Sequence, residues 1–197
     1  MTDTETLKIY DDKAAEYAKL IAGDPEENPY LEKFIARLPS GGRVLDLGCG
    51  PGTAAARMAD AGLRVDAVDG SAAMVDMTGR HTGVTAWQAT FDDIKGIDIY
   101  DGIWANFCLL HASKEAMSRH LNALGTGLKP GGQFHIAMKL GTGSKRDAIG
   151  RLYSYYSEPE LTALLVAAGL TVIETGYGRT IGLDGTEADW IVVAAHG

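Results

Sequence analysis

The sequence lacks the features that would place the chain in a membrane, outside the cell or on a nucleic acid. No apolar run approaches the about 20 residues that a membrane-spanning helix needs, and the first six residues lack the basic and apolar stretches of a signal peptide. Basic side chains are outnumbered by acidic ones, 18 to 26, so the net charge of −8 disfavours a broad nucleic-acid-binding surface. We therefore expect a cytoplasmic protein with no membrane or nucleic-acid partner.

Cysteine is also scarce, since the chain holds Cys49 and Cys108 alone. The two thiols show none of the paired spacing of a zinc site, and a cytoplasmic chain of this length does not need a disulfide. We expect neither a disulfide nor a bound metal. Low-complexity segments, repeats and linkers are missing too, and 197 residues suit one domain.

Glycine, in contrast, is abundant, with 25 residues against an average of about 7%. The glycines flank short aliphatic runs, a pattern typical of strands that alternate with helices. It predicts helices over residues 6–21, 30–38, 53–61, 71–79, 113–128 and 157–168, and strands over 43–47, 63–68, 84–87, 100–105, 133–139, 170–175 and 190–195. No helical pattern separates the last two strands, so we expect them to be antiparallel.

These elements predict a three-layer, doubly wound α/β domain. Its seven-stranded sheet should be mostly parallel, with an antiparallel last strand. Residues 40–195 would form the core, and residues 1–38 would add N-terminal helices. Tyr10 and Tyr17 share one face of the first helix, where they form either a lid over a ligand or part of the core.

Two segments at the carboxyl ends of the predicted strands are suited to hold a nucleoside. Gly48, Gly50 and Gly52 follow the first strand and lead into a helix, so backbone N–H groups can approach a ligand closely. Asp69 ends the second strand, where a carboxylate can accept hydrogen bonds from both ribose hydroxyls. Each feature alone also fits a tight turn or a helix cap, but Ser71 already supplies the cap.

The glycine-rich loop departs from the dinucleotide fingerprint. Thr53 stands where the third glycine of Gly-x-Gly-x-x-Gly would fall. Asp46 would also lie unfavourably beside a pyrophosphate, whereas it suits an amine or a sulfonium cation. The loop therefore favours a positively charged nucleoside cofactor over NAD, and a nucleotide-dependent oxidoreductase is the weaker alternative.

The segment Val44-Leu-Asp-Leu-Gly-Cys-Gly-Pro-Gly-Thr53 resembles the first motif of class I S-adenosylmethionine-dependent methyltransferases, and the resemblance extends over residues 40–195. It is closest to small bacterial methyltransferases of unassigned substrate. The resemblance implies S-adenosyl-L-methionine as cofactor, S-adenosyl-L-homocysteine as product, Asp69 on the ribose and Asp46 near the amino group of the methionine portion. The other residues that it implies at the cofactor are Tyr17, Gly48, Cys49, Gly50, Gly52, Gly70, Met74, Phe91, Asp92, Ala105 and Asn106.

The methyl acceptor is less readable from the sequence. His111 follows the fourth strand and could serve as a base, although its position fits a histidine packed at a helix entrance better, and His135 is interpreted as structural. The four cations between Lys139 and Arg151 either bind an anionic small molecule or form a solvated loop. The predicted acceptor-binding residues are Lys139, Arg146, Arg151 and Tyr153. A scaffold that binds the cofactor without catalysis remains the second alternative.

Overall fold

The computed structural model describes residues 3–22 and 28–197. Its helices are α1 (Thr4–Asp12), α2 (Ala14–Ala22), α3 (Pro29–Ala36), α4 (Thr53–Asp60), α5 (Ala72–Thr78), α6 (Lys114–Gly127) and α7 (Glu158–Ala167). Its strands are β1 (Arg43–Leu47), β2 (Arg64–Asp69), β3 (Val84–Gln88), β4 (Tyr100–Asn106), β5 (Leu128–Lys139), β6 (Ser144–Arg146), β7 (Leu152–Ser154), β8 (Thr171–Ile181) and β9 (Glu187–His196). Within the described ranges, no helix has the length and apolar character needed to cross a membrane.

Seven strands form one sheet in the order β3-β2-β1-β4-β5-β9-β8. The first five in that order are parallel, and β9 runs antiparallel to both β5 and β8. The predicted fold class and the antiparallel last strand are thereby confirmed. Because the strand order reverses between β1 and β4, a crevice opens at the carboxyl ends of these two strands, where doubly wound folds bind ligands.

Helices cover both faces of the sheet, and each face has its own apolar core. Leu45 and Leu47 of β1 point to the face packed by Met117 and Leu121 of α6, whereas Val44 points to the opposite face. This alternation follows from the two-residue period of a strand. The second face contains Phe34 of α3 together with other buried side chains, and Asp46 lies on it because it alternates with Leu45 and Leu47.

The single N-terminal helix predicted over residues 6–21 is wrong. Two helices, α1 and α2, replace it, and Lys13 between them leaves helical geometry with φ −111° and ψ 15°. No glycine or proline marks this break, so the apolar spacing alone could not reveal it. Residues 23–27, which the pattern predicts to interrupt the helices, lie outside the described residues.

The ends of the last two strands were also predicted wrongly. β8 continues through Gly176 and Gly178 to Ile181, and β9 begins at Glu187, which leaves only residues 182–186 between the two strands. Gly178 is needed for packing, because a Cβ at that position would lie 2.1 Å from the ring of Trp190. The hairpin of β6 and β7, outside the main sheet, was not predicted at all.

Candidate functional site

The glycine-rich loop connects the carboxyl end of β1 to α4. Gly48, Gly50 and Gly52 have φ values of 66°, 54° and 88°, a region that residues with a Cβ rarely enter. Asp69, at the end of β2, fixes the loop because its carboxylate accepts hydrogen bonds from the backbone N–H of Gly50 (3.0 Å) and of Ser71 (2.9 Å). Backbone and carboxylate thus share one edge of the crevice.

A cleft runs along this edge beneath α1. Of the predicted residues, those that line it are Tyr17, Gly48, Gly50, Asp69, Gly70, Met74, Phe91, Asn106 and His111. A second cavity adjoins the cleft on the other side of the loop, and its lining includes Asp46, Cys49 and Trp104 together with Tyr17, Gly48, Gly50 and Asn106. The structure therefore brings most of the predicted cofactor residues to one continuous depression.

Asp46 is the most unusual charge in this depression. Its side chain is buried, with 2% exposed, and its Oδ2 atom has no hydrogen-bond partner within residues 3–22 and 28–197. Burial, reinforced by the negative charge of Asp69, raises the pKa of Asp46 to about 7. A buried carboxyl group with a vacant oxygen is suited to receive a cation.

Three predicted cofactor residues do not line the cleft or the adjoining cavity. Gly52 is the N-cap residue of α4 and packs against Thr78 and His81, since a Cβ at this position would lie within 3 Å of both. Asp92 pairs with Arg119 on the surface, and Ala105 is buried in the core under the site. Their contact with a cofactor stays a prediction, since none of the three faces the depression.

Hydrogen bonds connect both ring nitrogens of His111 to the protein, one of them to Tyr10 of α1. Its Nδ1 lies 2.7 Å from the carbonyl oxygen of Leu152, so Nδ1 carries the proton and Nε2 accepts from the hydroxyl of Tyr10 at 2.8 Å. The Nη1 atom of Arg151 donates to the same hydroxyl at 2.9 Å. Burial lowers the pKa of His111 to about 4, so the imidazole is neutral at pH 7.

Two of the four cations in the predicted segment, Arg146 and Arg151, are paired with carboxylates of the chain. Arg146 projects from the hairpin and binds Asp3 and Glu5 of the N-terminal region at 2.8 Å and 3.2 Å. Arg151 is buried and donates through Nε to Asp147 at 2.8 Å. Neither guanidinium group lines the cleft, so the prediction of two arginines open to an anionic acceptor does not match their positions.

Lys139 and Tyr153 differ from the two arginines. Both side chains are buried, and the Nζ atom of Lys139 lies 4.1 Å above the ring centre of Tyr153. In the described part of the chain, no carboxylate lies within ion-pairing distance of Lys139. The ring of Tyr153 packs edge-on against His111 with their centres 4.7 Å apart, which links this pair to the wall of the cleft.

Sequence reasoning missed several residues of the cleft. Thr6 and Leu7 reach it from α1, and Phe107 reaches it from the loop after β4. Phe107 adopts φ 54°, a strained conformation for a residue with a side chain and one that concentrates at functional sites. No local motif marks Thr6 and Leu7, because only tertiary packing brings α1 to the cleft.

Comparison with known proteins found a matching family model and a curated relative. The family model described as a methyltransferase domain matches residues 25–175. The cypemycin N-terminal methyltransferase of Streptomyces sp is 32% identical over 131 residues, which cover 63% of this chain. The match spans 54% of that relative, so it leaves nearly half of the relative's length unmatched.

Solved structures share the fold. A 1,6-didemethyltoxoflavin-N1-methyltransferase from Burkholderia thailandensis, solved with 1,6-didemethyltoxoflavin and S-adenosylhomocysteine, has a TM-score of 0.79 at 24% identity, covering 98% of this chain and 87% of its own. A SAM-dependent methyltransferase from Methanosarcina mazei has a TM-score of 0.73 at 16% identity, with coverages of 87% and 98%. At these identities the likeness concerns the fold alone.

Proposed function

Because the chain belongs to the family of S-adenosylmethionine-dependent methyltransferases, we propose that it transfers the methyl group of S-adenosylmethionine to a small-molecule acceptor. The observation that carries this proposal is the pair of carboxyl groups on the two sides of a glycine-rich loop, namely Asp46, which is buried, and Asp69, which is half-buried. When bound, S-adenosylmethionine supplies an electrophilic methyl group on a sulfonium. A cation of that kind suits a site whose nearest charges are negative.

The residues present fit each part of this cofactor. Asp69 retains free lone pairs for the ribose hydroxyls beyond the two backbone hydrogen bonds that it accepts. Phe91 offers an apolar face for the adenine, and the vacant Oδ2 of Asp46 suits the ammonium group of the methionine portion. Gly48 and Gly50 keep the loop free of side chains, so the cofactor can lie against the backbone.

The N-terminal helix α1 is proposed as a lid over the cofactor. Leu7 packs so closely on Gly70 that a Cβ there would lie 2.5 Å from its methyl carbon. Asp11 holds the lid to α5, since its carboxylate accepts from the hydroxyl of Ser71 at 2.6 Å and from the N–H of Ala73 at 3.2 Å. Through Leu7 and Tyr10, which both line the cleft, α1 would exclude water from the space in which transfer would occur.

His111 is proposed as the proton acceptor when the methyl acceptor carries a proton. The acceptor would give its proton to the oxygen of Tyr10 while Tyr10 gives its own proton to Nε2 of His111, so that the imidazole becomes an imidazolium. The neutral imidazole and the 2.8 Å contact support this role. Arg151, beside the same hydroxyl, would stabilise negative charge that develops on it.

An anionic group on the acceptor is proposed to bind near Lys139 rather than at the two arginines. Lys139 and Lys145 form no ion pair with a described residue, but Lys145 is exposed, whereas Lys139 is buried and adjoins His111 through Tyr153. The Burkholderia enzyme, whose structure holds 1,6-didemethyltoxoflavin, agrees with a small-molecule acceptor. The Streptomyces relative, an N-terminal methyltransferase by name, makes peptide amines the second class to test.

A methyl-transfer screen tests the proposal. The protein is incubated with methyl-labelled S-adenosylmethionine and, in separate reactions, with a metabolite extract or with short peptides. Mass spectrometry then identifies labelled products. We expect a labelled small molecule that is absent with a Tyr10→Phe, His111→Gln double variant. Cofactor binding with no labelled product in either pool would instead make the protein a scaffold that binds without catalysis.

A further inference from the structure

Three neighbouring strands place an acidic, an aromatic and an imidazole side chain in one row under the second cavity. Asp46 of β1 lies opposite Trp104 of β4, and Trp104 lies opposite His135 of β5. The rings of Trp104 and His135 stack with their centres 3.6 Å apart and their planes 13° from parallel. Asn106, two residues beyond Trp104, projects on the same face because side chains of a strand alternate.

His135 fixes the orientation of the Asn106 amide. Its Nε2 lies 3.1 Å from Oδ1 of Asn106, an oxygen that can only accept, so Nε2 is the donor. The His135 side chain is 3% exposed, and burial lowers its pKa to about 3, which leaves a neutral ring with a single N–H. Stacking on Trp104 holds that ring in place, so the hydrogen bond and the stack together determine how the amide points.

The opposite end of the amide is available to a ligand. Asn106 lines both the cleft and the second cavity, and its Nδ2 atom makes no hydrogen bond to any described residue. Since Oδ1 is held by His135, the two N–H groups of Nδ2 are the donors left for a bound molecule. A carboxylate, which accepts only, is the natural partner for such a group.

We propose that His135 is a positioning residue that holds the Asn106 amide so that its Nδ2 donates to the α-carboxylate of the cofactor's methionine portion. The inference rests on the proposed function. Asp46, on the same face, carries the vacant oxygen suited to the α-ammonium group, so one cavity presents an acceptor for the cation and a donor for the anion of an amino acid. His135 therefore has a binding role that its mid-strand position conceals.

Calorimetric titration with two ligands tests the assignment. S-adenosylhomocysteine carries the ammonium and carboxylate groups, whereas 5′-methylthioadenosine lacks both and retains the adenosine. His135→Phe keeps an aromatic ring on Trp104 but removes the donor to Asn106. We expect it to weaken S-adenosylhomocysteine binding about five- to tenfold and to change methylthioadenosine binding less than twofold. His135→Gln, which restores an N–H donor, should recover part of the loss.

A double-mutant cycle completes the test. Asn106→Ala should weaken S-adenosylhomocysteine binding about tenfold, and adding His135→Phe to it should cause no further loss, because the group that His135 orients is then gone. Equal losses for both ligands, or losses that add in the double variant, would overturn the proposal and leave His135 a core residue. Failure of the wild-type protein to bind S-adenosylhomocysteine would instead overturn the proposed function itself.

Discussion

The charged side chains of two walls beside the site differ in how they are paired. In the first wall, at the ends of β1 and β2, Asp46 has an oxygen without a hydrogen-bond partner among the described residues, and there Asp69 accepts only from backbone N–H groups. In the second wall, formed by α1 with the β6–β7 hairpin behind it, Arg146 and Arg151 lie outside the cleft and pair with carboxylates of the chain itself. Charges matched internally stabilise a structure, whereas a buried charge left unmatched indicates where a ligand binds. Changes to the first wall should therefore alter affinity, and changes to the second should alter stability.

The largest expected effect is on the first wall, at Gly50. Gly50→Val would place a branched side chain on a backbone with φ 54°, and its Cβ would lie 3.5 Å from Cε1 of Tyr17. We expect S-adenosylhomocysteine binding to fall below detection by calorimetry while a cooperative melting transition persists. Normal affinity in a folded Gly50→Val protein would place the cofactor elsewhere.

Arg151 should show the reverse behaviour. Its replacement by alanine leaves Asp147 buried and unpaired and removes a hydrogen bond to Tyr10. Breaking a buried ion pair from one side costs about 3–5 kcal/mol, so the free energy of unfolding in urea should fall by that amount. An Arg151→Ala protein of wild-type stability with weakened acceptor binding would restore the arginine to the acceptor site.

Replacing Asp46 by asparagine should raise the stability of the ligand-free protein and weaken ligand binding. Because its pKa in the folded protein is raised to about 7, the folded state holds this proton more tightly than the unfolded chain, so stability declines as pH rises from about 4 to about 7. Asp46→Asn cannot ionise and should therefore stabilise the ligand-free protein at pH 8, by on the order of 1–4 kcal/mol. The same variant should bind S-adenosylhomocysteine at least about tenfold more weakly.

The pH dependence of binding separates Asp46 from its neighbour Asp69. The ammonium group of the ligand requires ionised Asp46, so wild-type affinity should fall below pH 7, by up to about tenfold per pH unit. The Asp46→Asn variant should show a shallower decline, which reports the remaining groups, including Asp69. Parallel pH profiles for the two proteins, measured by calorimetry, would contradict the assignment.

The smallest effect is expected at the exposed ion pair of the second wall. Arg146 is 42% exposed and binds Asp3 and Glu5, so Arg146→Ala should lower the free energy of unfolding by about 0–1 kcal/mol, and less in high salt. Cofactor affinity should stay within twofold of wild type. A marked loss of turnover at low salt, once an acceptor is known, would mean that Arg146 contacts the acceptor after all.

The same contrast separates what the sequence predicts from what it does not. The residues of the first wall are determined locally. Gly48 and Gly50 follow β1, and Asp69 ends β2, and the apolar runs of both strands are visible in the sequence, so the elements and the residues could be placed. The second wall depends on residues distant in the chain, such as Tyr10 against His111 and Asp3 against Arg146. No periodicity reports such contacts, so the sequence could not show that Arg146 and Arg151 are paired within the chain.

One measurement tests the central claim most directly, namely titration of wild type and Asp69→Ala with S-adenosylhomocysteine and with NAD under the same conditions. The account predicts that the wild type binds S-adenosylhomocysteine and not NAD. It further predicts that Asp69→Ala loses about 1.5–3 kcal/mol, or roughly 10- to 150-fold in affinity, with an unchanged melting transition. Equal affinity of the two proteins for S-adenosylhomocysteine, or tight binding of NAD, would contradict it.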